Sequence, residues 1–290
     1  VSCDSRQVVP GTLFICKGAH FKVEFLQSAK EQGAFAYLSE KRYDQVDLPC
    51  ILVSDVRLAM ALLADFYYNH PSAKLGVVGI TGTKGKSSTA YYLKYIFDEY
   101  LAAKGQPASG VISSIETYDG VEKFESHLTT PEPLDLERHF ANGVATGMRY
   151  LTMEVSSQAL KYDRVKNVEF AAAVFLNIGM DHISPIEHPD FEDYKNAKHR
   201  LFVDYQAREM IYNADDDTSE FMRIGFGGHQ TSYGIERAAD YHGTALAQFR
   251  SETALGIDFL CEHGGSSTAV RVLSPGEFSA SDALCAIALC

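Results

Sequence analysis

The feature that most constrains the fold is a glycine-bordered segment that separates an apolar run from a helical pattern. The segment reads Gly79-Ile-Thr-Gly-Thr-Lys-Gly-Lys86-Ser87-Ser88, follows the apolar residues 75–80 and precedes an amphipathic pattern over residues 90–101. It matches the phosphate-binding loop pattern except at Ile80, where a glycine is usual. A strand, a glycine-rich loop and a helix in this order predict an α/β fold with a phosphate site beyond the strand's carboxyl end.

Each part of this loop suits a triphosphate. Gly82 and Gly85 allow backbone amides to turn towards phosphate oxygens, and the following helix adds its positive N-terminal end. Lys86 is expected to meet the β- and γ-phosphates, and the Ser87 hydroxyl to bind Mg²⁺. An incidental glycine-rich turn is the alternative. The residues expected to bind ATP are Thr81, Gly82, Thr83, Lys84, Gly85, Lys86, Ser87 and Ser88.

The first part of the chain predicts a small α/β unit. Strand-like runs at residues 13–16, 34–38 and 50–53 alternate with helical patterns at 23–32 and 56–68. The stretch 69–74 is polar, and its proline disfavours helix at the preceding residue. We therefore expect an N-terminal domain over residues 1–73 and a second domain over 74–290.

The second domain is expected to contain a mainly parallel sheet flanked by helices. Its apolar runs lie at residues 75–80, 110–113, 150–155, 171–178 and 210–212, with helical patterns between most of them. Such alternation is typical of parallel sheets, whose ligands bind beyond the carboxyl ends of the strands. The tail predicts shorter strands and turns over 233–272 and a helix over 279–290.

Composition argues against several functional classes. The formal net charge of -12 provides no overall positive field for nucleic acid or an anionic membrane. No apolar run approaches the roughly 18 residues of a membrane span, and no signal peptide opens the chain. The six cysteines form no CxxC pair, which favours reduced thiols over disulfides or a zinc site. We expect a cytoplasmic, monomeric protein with neither nucleic-acid nor membrane partners.

Six ordered segments resemble motifs of one enzyme family, the Mur ligases, and within it the tripeptide synthetases. The loop is similar to the family's TGTNGKT motif, and the other segments to its DSR, TTP, MEVSSHAL, NL..DH and Y..AK..LF motifs. Those five segments are Asp4-Ser5-Arg6, Leu128-Thr-Thr-Pro131, Met153-Glu-Val-Ser-Ser-Gln-Ala-Leu160, Asn177-Ile-Gly-Met-Asp-His182 and Tyr194-Lys-Asn-Ala-Lys-His-Arg-Leu-Phe202. The sequence departs from the family pattern at Gln158, over 183–189, and at Ser279 and Asp282.

The resemblance implies an ATP-dependent ligase that forms an amide bond. The terminal carboxylate of UDP-MurNAc-L-Ala-D-Glu would attack the γ-phosphate, giving an acyl phosphate and ADP, and the amine of an amino acid would then displace phosphate. This step belongs to peptidoglycan precursor synthesis. The family's third domain, which carries the amino-acid pocket, is expected to be absent from this sequence.

The resemblance also implies two Mg²⁺ sites. Glu154 at a strand end is the expected ligand of the first ion, with Ser87; strand-end capping is the alternative role. His182 and Lys198 are expected at the second ion, with Lys198 carbamylated by CO₂; a loop histidine and a surface lysine are the alternatives. Lys195 lies on roughly the same helical face, so only the motif favours Lys198. The catalytic residues would be Lys86, His182 and Lys198.

Six further residues resemble contacts to the UDP-linked acceptor. Hydroxyl groups and arginine suit phosphate oxygens, although each hydroxyl also suits a turn or cap. These residues are Ser5, Arg6, Thr129, Thr130, Ser156 and Arg164.

Two other functions stay open. One is a ligase of the same chemistry with another acceptor, as in folylpolyglutamate or cyanophycin synthetases, which the irregular stretch 181–189 favours. The other is a nucleotide-binding paralogue without turnover.

Overall fold

A small parallel sheet forms the first part of the chain. The computed structural model describes residues 1–18, 21–181, 183–184, 187–205, 207–251 and 253–290. The strands run in the order β1-β2-β3, and two helices accompany them. The bounds are β1 Leu13–Ile15, α1 Val23–Glu31, β2 Ala36–Ser39, β3 Cys50–Leu52 and α2 Val56–Tyr67.

These elements follow the predicted pattern because α1 and α2 each cover one face of the small sheet with apolar residues. Leu26 and Ala29 of α1 pack with Phe14 and Tyr37 of the sheet. Asp55 caps the start of the second helix, where its carboxylate accepts hydrogen bonds from the amides of Arg57 and Leu58 at 2.9 Å each. The small α/β unit predicted from the sequence is therefore present, with element ends within two residues of the prediction.

The rest of the chain builds an eleven-stranded sheet of order β14-β13-β12-β11-β10-β9-β4-β8-β5-β6-β7. Its strands are β4 Gly76–Thr81, β5 Gly110–Ile112, β6 Glu116–Tyr118, β7 Lys123–Glu125, β8 Tyr150–Glu154, β9 Phe170–Phe175, β10 Glu209–Asn213, β11 His229–Gly234, β12 Tyr241–Arg250, β13 Leu255–His263 and β14 Ser266–Val272. Strands β5, β8, β4, β9, β10, β11 and β12 are parallel, with β12 joined by only two residue pairs. The predicted α/β fold with a mainly parallel sheet is confirmed.

Helices cover both faces of this sheet and create two hydrophobic cores. Their bounds are α3 Lys86–Ala102, α4 Pro133–Ala145, α5 Ser157–Lys161, α6 Phe191–Val203, α7 Ser219–Arg223 and α8 Glu277–Leu289. Leu136 and Phe140 of α4 and Leu201 of α6 pack on one face. Leu93 of α3 and Leu284 of α8 pack on the other face. Among the described residues, no helix combines the length and apolarity required to cross a bilayer.

Parts of both edges of the large sheet were not predicted from the sequence. Residues 233–272 form strands of up to ten residues rather than short ones, and β6 and β7 were not predicted. All three residues of β7 and most of β14 are exposed. Their order depends on antiparallel pairing with a neighbouring strand and not on an apolar run of their own.

Candidate active site

The phosphate loop joins the end of β4 to the start of α3, as predicted. Gly85 has φ 85°, a left-handed conformation that favours glycine. A Cβ at this position would lie 2.3 Å from Oδ1 of Asp282 on α8, so the loop also needs the missing side chain for space. Thr81 is fully buried, and its hydroxyl donates to the carbonyl of Val155 at 2.9 Å. That hydroxyl therefore ties β4 to the segment that follows β8.

Asn177, two residues after the end of β9, holds the loop in place by hydrogen bonds. Its Oδ1 accepts a hydrogen bond from the amide of Lys84 at 2.9 Å, and its Nδ2 donates to the Lys84 carbonyl at 3.1 Å. Its own carbonyl accepts from the amide of Thr83 at 2.9 Å. Asn177 was not among the predicted site residues, although its position near a strand's carboxyl end points to this site.

Two lysines converge on one carbonyl of the loop. The Nζ atoms of Lys86 and Lys198 each lie 2.9 Å from the oxygen of Gly82, to which both donate. Lys198 is only 2% exposed and lies over the ring of Tyr194 at 4.7 Å. Burial, reinforced by the charge of Lys86, holds the pKa of Lys198 well below the usual lysine range. Burial also lowers the pKa of Lys86. The site therefore favours the neutral amine of Lys198 more than solvent does for an exposed lysine.

The structure distinguishes Lys198 from Lys195, the other lysine on roughly the same face of α6. The Nζ of Lys195 makes an ion pair with Glu192 at 2.8 Å and lies 4.2 Å from the ring centroid of Phe221. Only Lys198 of the two donates to the phosphate loop.

Glu154, the last residue of β8, meets the serine predicted to bind metal. Glu154 is 1% exposed, and its Oε1 accepts from the Ser87 hydroxyl at 2.8 Å. The same oxygen accepts from the amide of Ser114 at 2.9 Å and from its hydroxyl at 3.3 Å. A hydroxyl beside a buried carboxylate is the hard oxygen environment that Mg²⁺ prefers, so these residues fit the ion. Ser114 was missed, although it follows the end of β5.

A cavity of about 220 Å³ adjoins the loop, and we call it the loop cavity. It brings together six of the predicted residues. They are Lys86, Thr129, Thr130, Ser156, Arg164 and Lys198.

Hydrogen bonds connect the polar groups of the loop cavity. The Thr130 hydroxyl donates to the carbonyl of Glu154 at 2.9 Å and accepts from the amide of Ser156 at 3.0 Å. Arg164 donates to the carbonyl of Thr130 at 3.2 Å. The Ser156 hydroxyl also caps α5 by accepting from the amide of Ala159 at 3.1 Å. Thr130 and Ser156 thus have the structural roles that the sequence left open as alternatives.

The segment after β9 carries the predicted His182, which lies outside the described residues. Further along, His188 is buried, with Nδ1 2.6 Å from a carboxylate oxygen of Asp193 and Nε2 2.9 Å from the Ser157 hydroxyl. Asp190 caps α6 by accepting from the amide of Asp193 at 2.8 Å. His188 and Asp190 are thus engaged in structural contacts.

Within the described residues, the compact group of potential metal ligands lies elsewhere. Its members are Asp119, Glu122 and His139. His139 Nδ1 lies 2.6 Å from an oxygen of Asp119, and Glu122 pairs with Arg138. These groups satisfy one another and hold the β6–β7 turn on α4.

Ser5 and Arg6 do not join the loop cavity. Ser5 begins a short 3₁₀ turn, and the Arg6 side chain is 87% exposed and pairs with Asp4 at 2.7 Å. A second cavity, of about 680 Å³, lies at the carboxyl ends of the small sheet, and we call it the N-terminal cavity. Its described lining includes Lys17, Tyr43 and Arg57 but neither Ser5 nor Arg6.

Asp282 completes the surroundings of the loop. It is 6% exposed on α8, beside Gly85. Burial raises the pKa of its carboxyl to about 7, so it favours the neutral form more than an exposed aspartate does.

Comparisons with known proteins agree with this arrangement. Residues 80–290 match the family described as Mur ligase middle domain. The UDP-N-acetylmuramoyl-L-alanyl-D-glutamate--L-lysine ligase of Streptococcus thermophilus is 49% identical over 287 residues, covering 92% of this chain and 58% of the relative. The UDP-N-acetylmuramyl-tripeptide synthetase of Bifidobacterium longum is 42% identical over 224 residues, covering 77% of this chain and 42% of the relative. The chain thus spans about half the length of these curated relatives.

A solved structure shows the same fold. It is titled a UDP-N-acetylmuramoyl-L-alanyl-D-glutamate--2,6-diaminopimelate ligase, with a TM-score of 0.81 at 23% identity, and the match covers 99% of this chain and 58% of that one. The family match spans most of the chain, and the first relative is 49% identical over nearly all of it. On this evidence the chain belongs to the Mur ligase family.

Proposed function

We propose that this chain is the ATP-binding and acceptor-binding part of a cytoplasmic, monomeric ligase that adds an amino acid to UDP-MurNAc-L-Ala-D-Glu. The observation that carries the proposal is that Lys86, Lys198 and Arg164 line one cavity beside the phosphate loop. Curated relatives named as tripeptide synthetases and L-lysine ligases support it. Residues 1–73 would bind the UDP-linked acceptor, and residues 74–290 would bind ATP.

In this proposal the phosphate loop holds the triphosphate. The loop amides and Lys86 neutralise the phosphate charge, while Ser87 and Glu154 hold a Mg²⁺ ion. When bound, this ion supplies charge stabilisation at the phosphate being transferred. Asn177 and Glu154 are themselves fixed by hydrogen bonds, which keeps the charged groups in position before the substrate arrives.

Lys198 would serve as a carbamate. A neutral amine adds to CO₂ and releases one proton, giving an N-carboxylate with two oxygens. The lowered pKa of Lys198 favours the reactive neutral amine. The carbamate oxygens and His182 would hold a second Mg²⁺.

The acceptor would lie across the loop cavity. Thr129, Thr130, Ser156 and Arg164 offer hydroxyl groups and a guanidinium to its phosphate and carboxylate oxygens. Holding the acceptor carboxylate and the γ-phosphate side by side replaces an encounter in solution by a reaction within one site.

The test is phosphate release by the complete gene product. It is supplied with ATP, Mg²⁺, an amino acid (L-lysine or diaminopimelate) and UDP-MurNAc-L-Ala-D-Glu. Release that requires this acceptor supports the proposal. Release with a folate or another peptide in its place would instead assign the other ligase function. If no acceptor causes phosphate release but the protein still binds ADP with Mg²⁺, it is a nucleotide-binding paralogue without turnover.

A further inference from the structure

A single carboxylate connects the two cavities. Glu132 precedes α4, and its Oε2 makes an ion pair with Lys17, which follows β1 and lines the N-terminal cavity. Its Oε1 lies 3.1 Å from Nη2 of Arg164, which lines the loop cavity. Each oxygen of one side chain therefore holds a cation that faces a different cavity. We call these three residues the bridging triad.

The bridging triad is largely removed from water. The side chains of Lys17, Glu132 and Arg164 are 17%, 28% and 15% exposed. Charges that are only partly hydrated interact more strongly than surface pairs, and their geometry is better fixed. Two cations share one carboxylate, so the triad keeps a formal charge of +1 between the cavities. A further anion at this place would be attracted.

The bridging triad is also connected to the loop cavity's polar network. Arg164 donates to the carbonyl of Thr130, and the hydroxyl of Thr130 donates to the carbonyl of Glu154. The contacts thus run from Lys17 to the strand end that carries the expected Mg²⁺ ligand.

We propose that Lys17 is a further anion-binding residue of this enzyme and that, with Arg164, it contacts the diphosphate of a nucleotide-linked acceptor that spans both cavities. The proposal rests on the proposed function. A nucleoside end in the N-terminal cavity and a carboxylate end in the loop cavity require a connecting group between them. The diphosphate is the part of such a substrate that carries charge opposite to the triad. Glu132 positions the two cations and leaves part of their charge for the ligand.

The experiment compares Lys17→Met with Lys17→Arg. Isothermal titration calorimetry measures the affinity for UDP-MurNAc-L-Ala-D-Glu and, separately, for ADP with Mg²⁺. Lys17→Met is expected to weaken acceptor binding about tenfold, because a charge-assisted contact is lost, and to reduce its dependence on salt. Lys17→Arg should restore most of the affinity. ADP binding should stay unchanged in both variants.

Lys30→Met is the matched control. Lys30 lies on α1 of the same unit, is not part of the described lining of either cavity, and its Nζ makes a long ion pair with Asp47 at 4.0 Å. Its substitution removes one positive charge and should leave acceptor affinity unchanged. In steady-state assays of the complete gene product, Lys17→Met should raise KM for the acceptor while kcat at saturation is retained.

Three outcomes would overturn the inference, and one of them concerns the proposed function itself. If the wild type binds the acceptor and Lys17→Met binds it equally well, Lys17 does not contact the ligand. Equal losses in Lys17→Met and Lys17→Arg, with a lower melting temperature, would give the bridging triad a purely structural role. If the wild type does not bind UDP-MurNAc-L-Ala-D-Glu at all, the proposed function fails and the inference falls with it.

Discussion

Burial decides the chemistry of Lys198 and Lys86. A lysine at the surface is a cation at neutral pH and repels Mg²⁺. Lys198 is 2% exposed and has the charge of Lys86 beside it, and both favour the loss of its proton relative to an exposed lysine. Its Nζ donates to the carbonyl of Gly82. Position along α6 alone does not distinguish it from Lys195, whose side chain pairs with Glu192.

Lys198→Ala should remove the ligand that the carbamate supplies. We expect a loss of roughly 100-fold or more in kcat of the complete gene product, in line with the removal of one group that stabilises a transition state. Added formate or acetate should partly restore activity, because a small carboxylate fits the vacated space. Phosphate release is the measurement.

Lys195→Ala is the matched control for this prediction. It removes a lysine from the same helix and should retain nearly full activity, with no response to added carboxylates. Full activity in Lys198→Ala would contradict the carbamate proposal.

At the scale of single elements, the phosphate loop depends on a helix far along the chain. The loop joins β4 to α3. The start of α3 packs against α8, whose Asp282 lies directly beside Gly85. The loop conformation is therefore determined by its own glycines and by the packing of a helix that begins at residue 277.

Gly85→Ala should disable the loop. The left-handed backbone costs roughly 1 to 2 kcal/mol for a residue with a Cβ. The new Cβ would in addition meet Oδ1 of Asp282 at 2.3 Å, so the loop or α8 must shift. We expect at least a tenfold weaker affinity for ADP with Mg²⁺, measured by calorimetry, and a lower melting temperature.

Gly105→Ala is the control that has the conformational cost of a positive φ without a steric clash. Gly105 also has a positive φ, of 62°, but nothing lies within 4 Å of its Cβ position. Its substitution should lower stability by the conformational cost alone and leave ADP affinity unchanged. Wild-type ADP affinity in Gly85→Ala would show that the loop tolerates the displacement.

At the scale of the whole molecule, the N-terminal unit packs against the part with the large sheet mainly through α2 and α4. Arg57 of α2 lies over the ring of Tyr162 at 4.1 Å, and Asn167 donates to Asp65 at 3.2 Å. Glu137 of α4 is 2% exposed in this region, and its Oε2 has no hydrogen-bond partner among the described residues. Burial, and then the charge of Asp65, raises the pKa of Glu137 to about 8.

Glu137 should make stability fall as pH rises. Between its ordinary pKa of 4.5 and about 8 the folded chain keeps a proton that the unfolded chain releases. Stability is therefore full below about pH 4.5, decreases through this window and levels off above pH 8. Glu137→Gln has no charge to bury and should escape this loss, which amounts to at most about 5 kcal/mol.

Thermal melting at pH 5 and pH 9 measures this effect. The advantage of Glu137→Gln over the wild type should be small at pH 5 and largest at pH 9. Glu99→Gln, at an exposed position on α3, should show no pH-dependent difference from the wild type. An advantage of Glu137→Gln that does not grow with pH would exclude Glu137 as the source.

The sequence by itself determined the local elements and the nature of the site. Apolar periodicity located both sheets' main strands, and glycines with Lys86 and Ser87 located the phosphate loop, because neighbouring residues encode such features. The tertiary structure decided which distant side chains meet. Lys198 and Gly82 are 116 positions apart, and Lys17 and Glu132 are 115 apart. Their contacts depend on strand order and helix packing, which arise only when the whole core is assembled. The same holds for Ser114, Asn177 and Asp282, whose roles become visible once strand ends and α8 surround one loop.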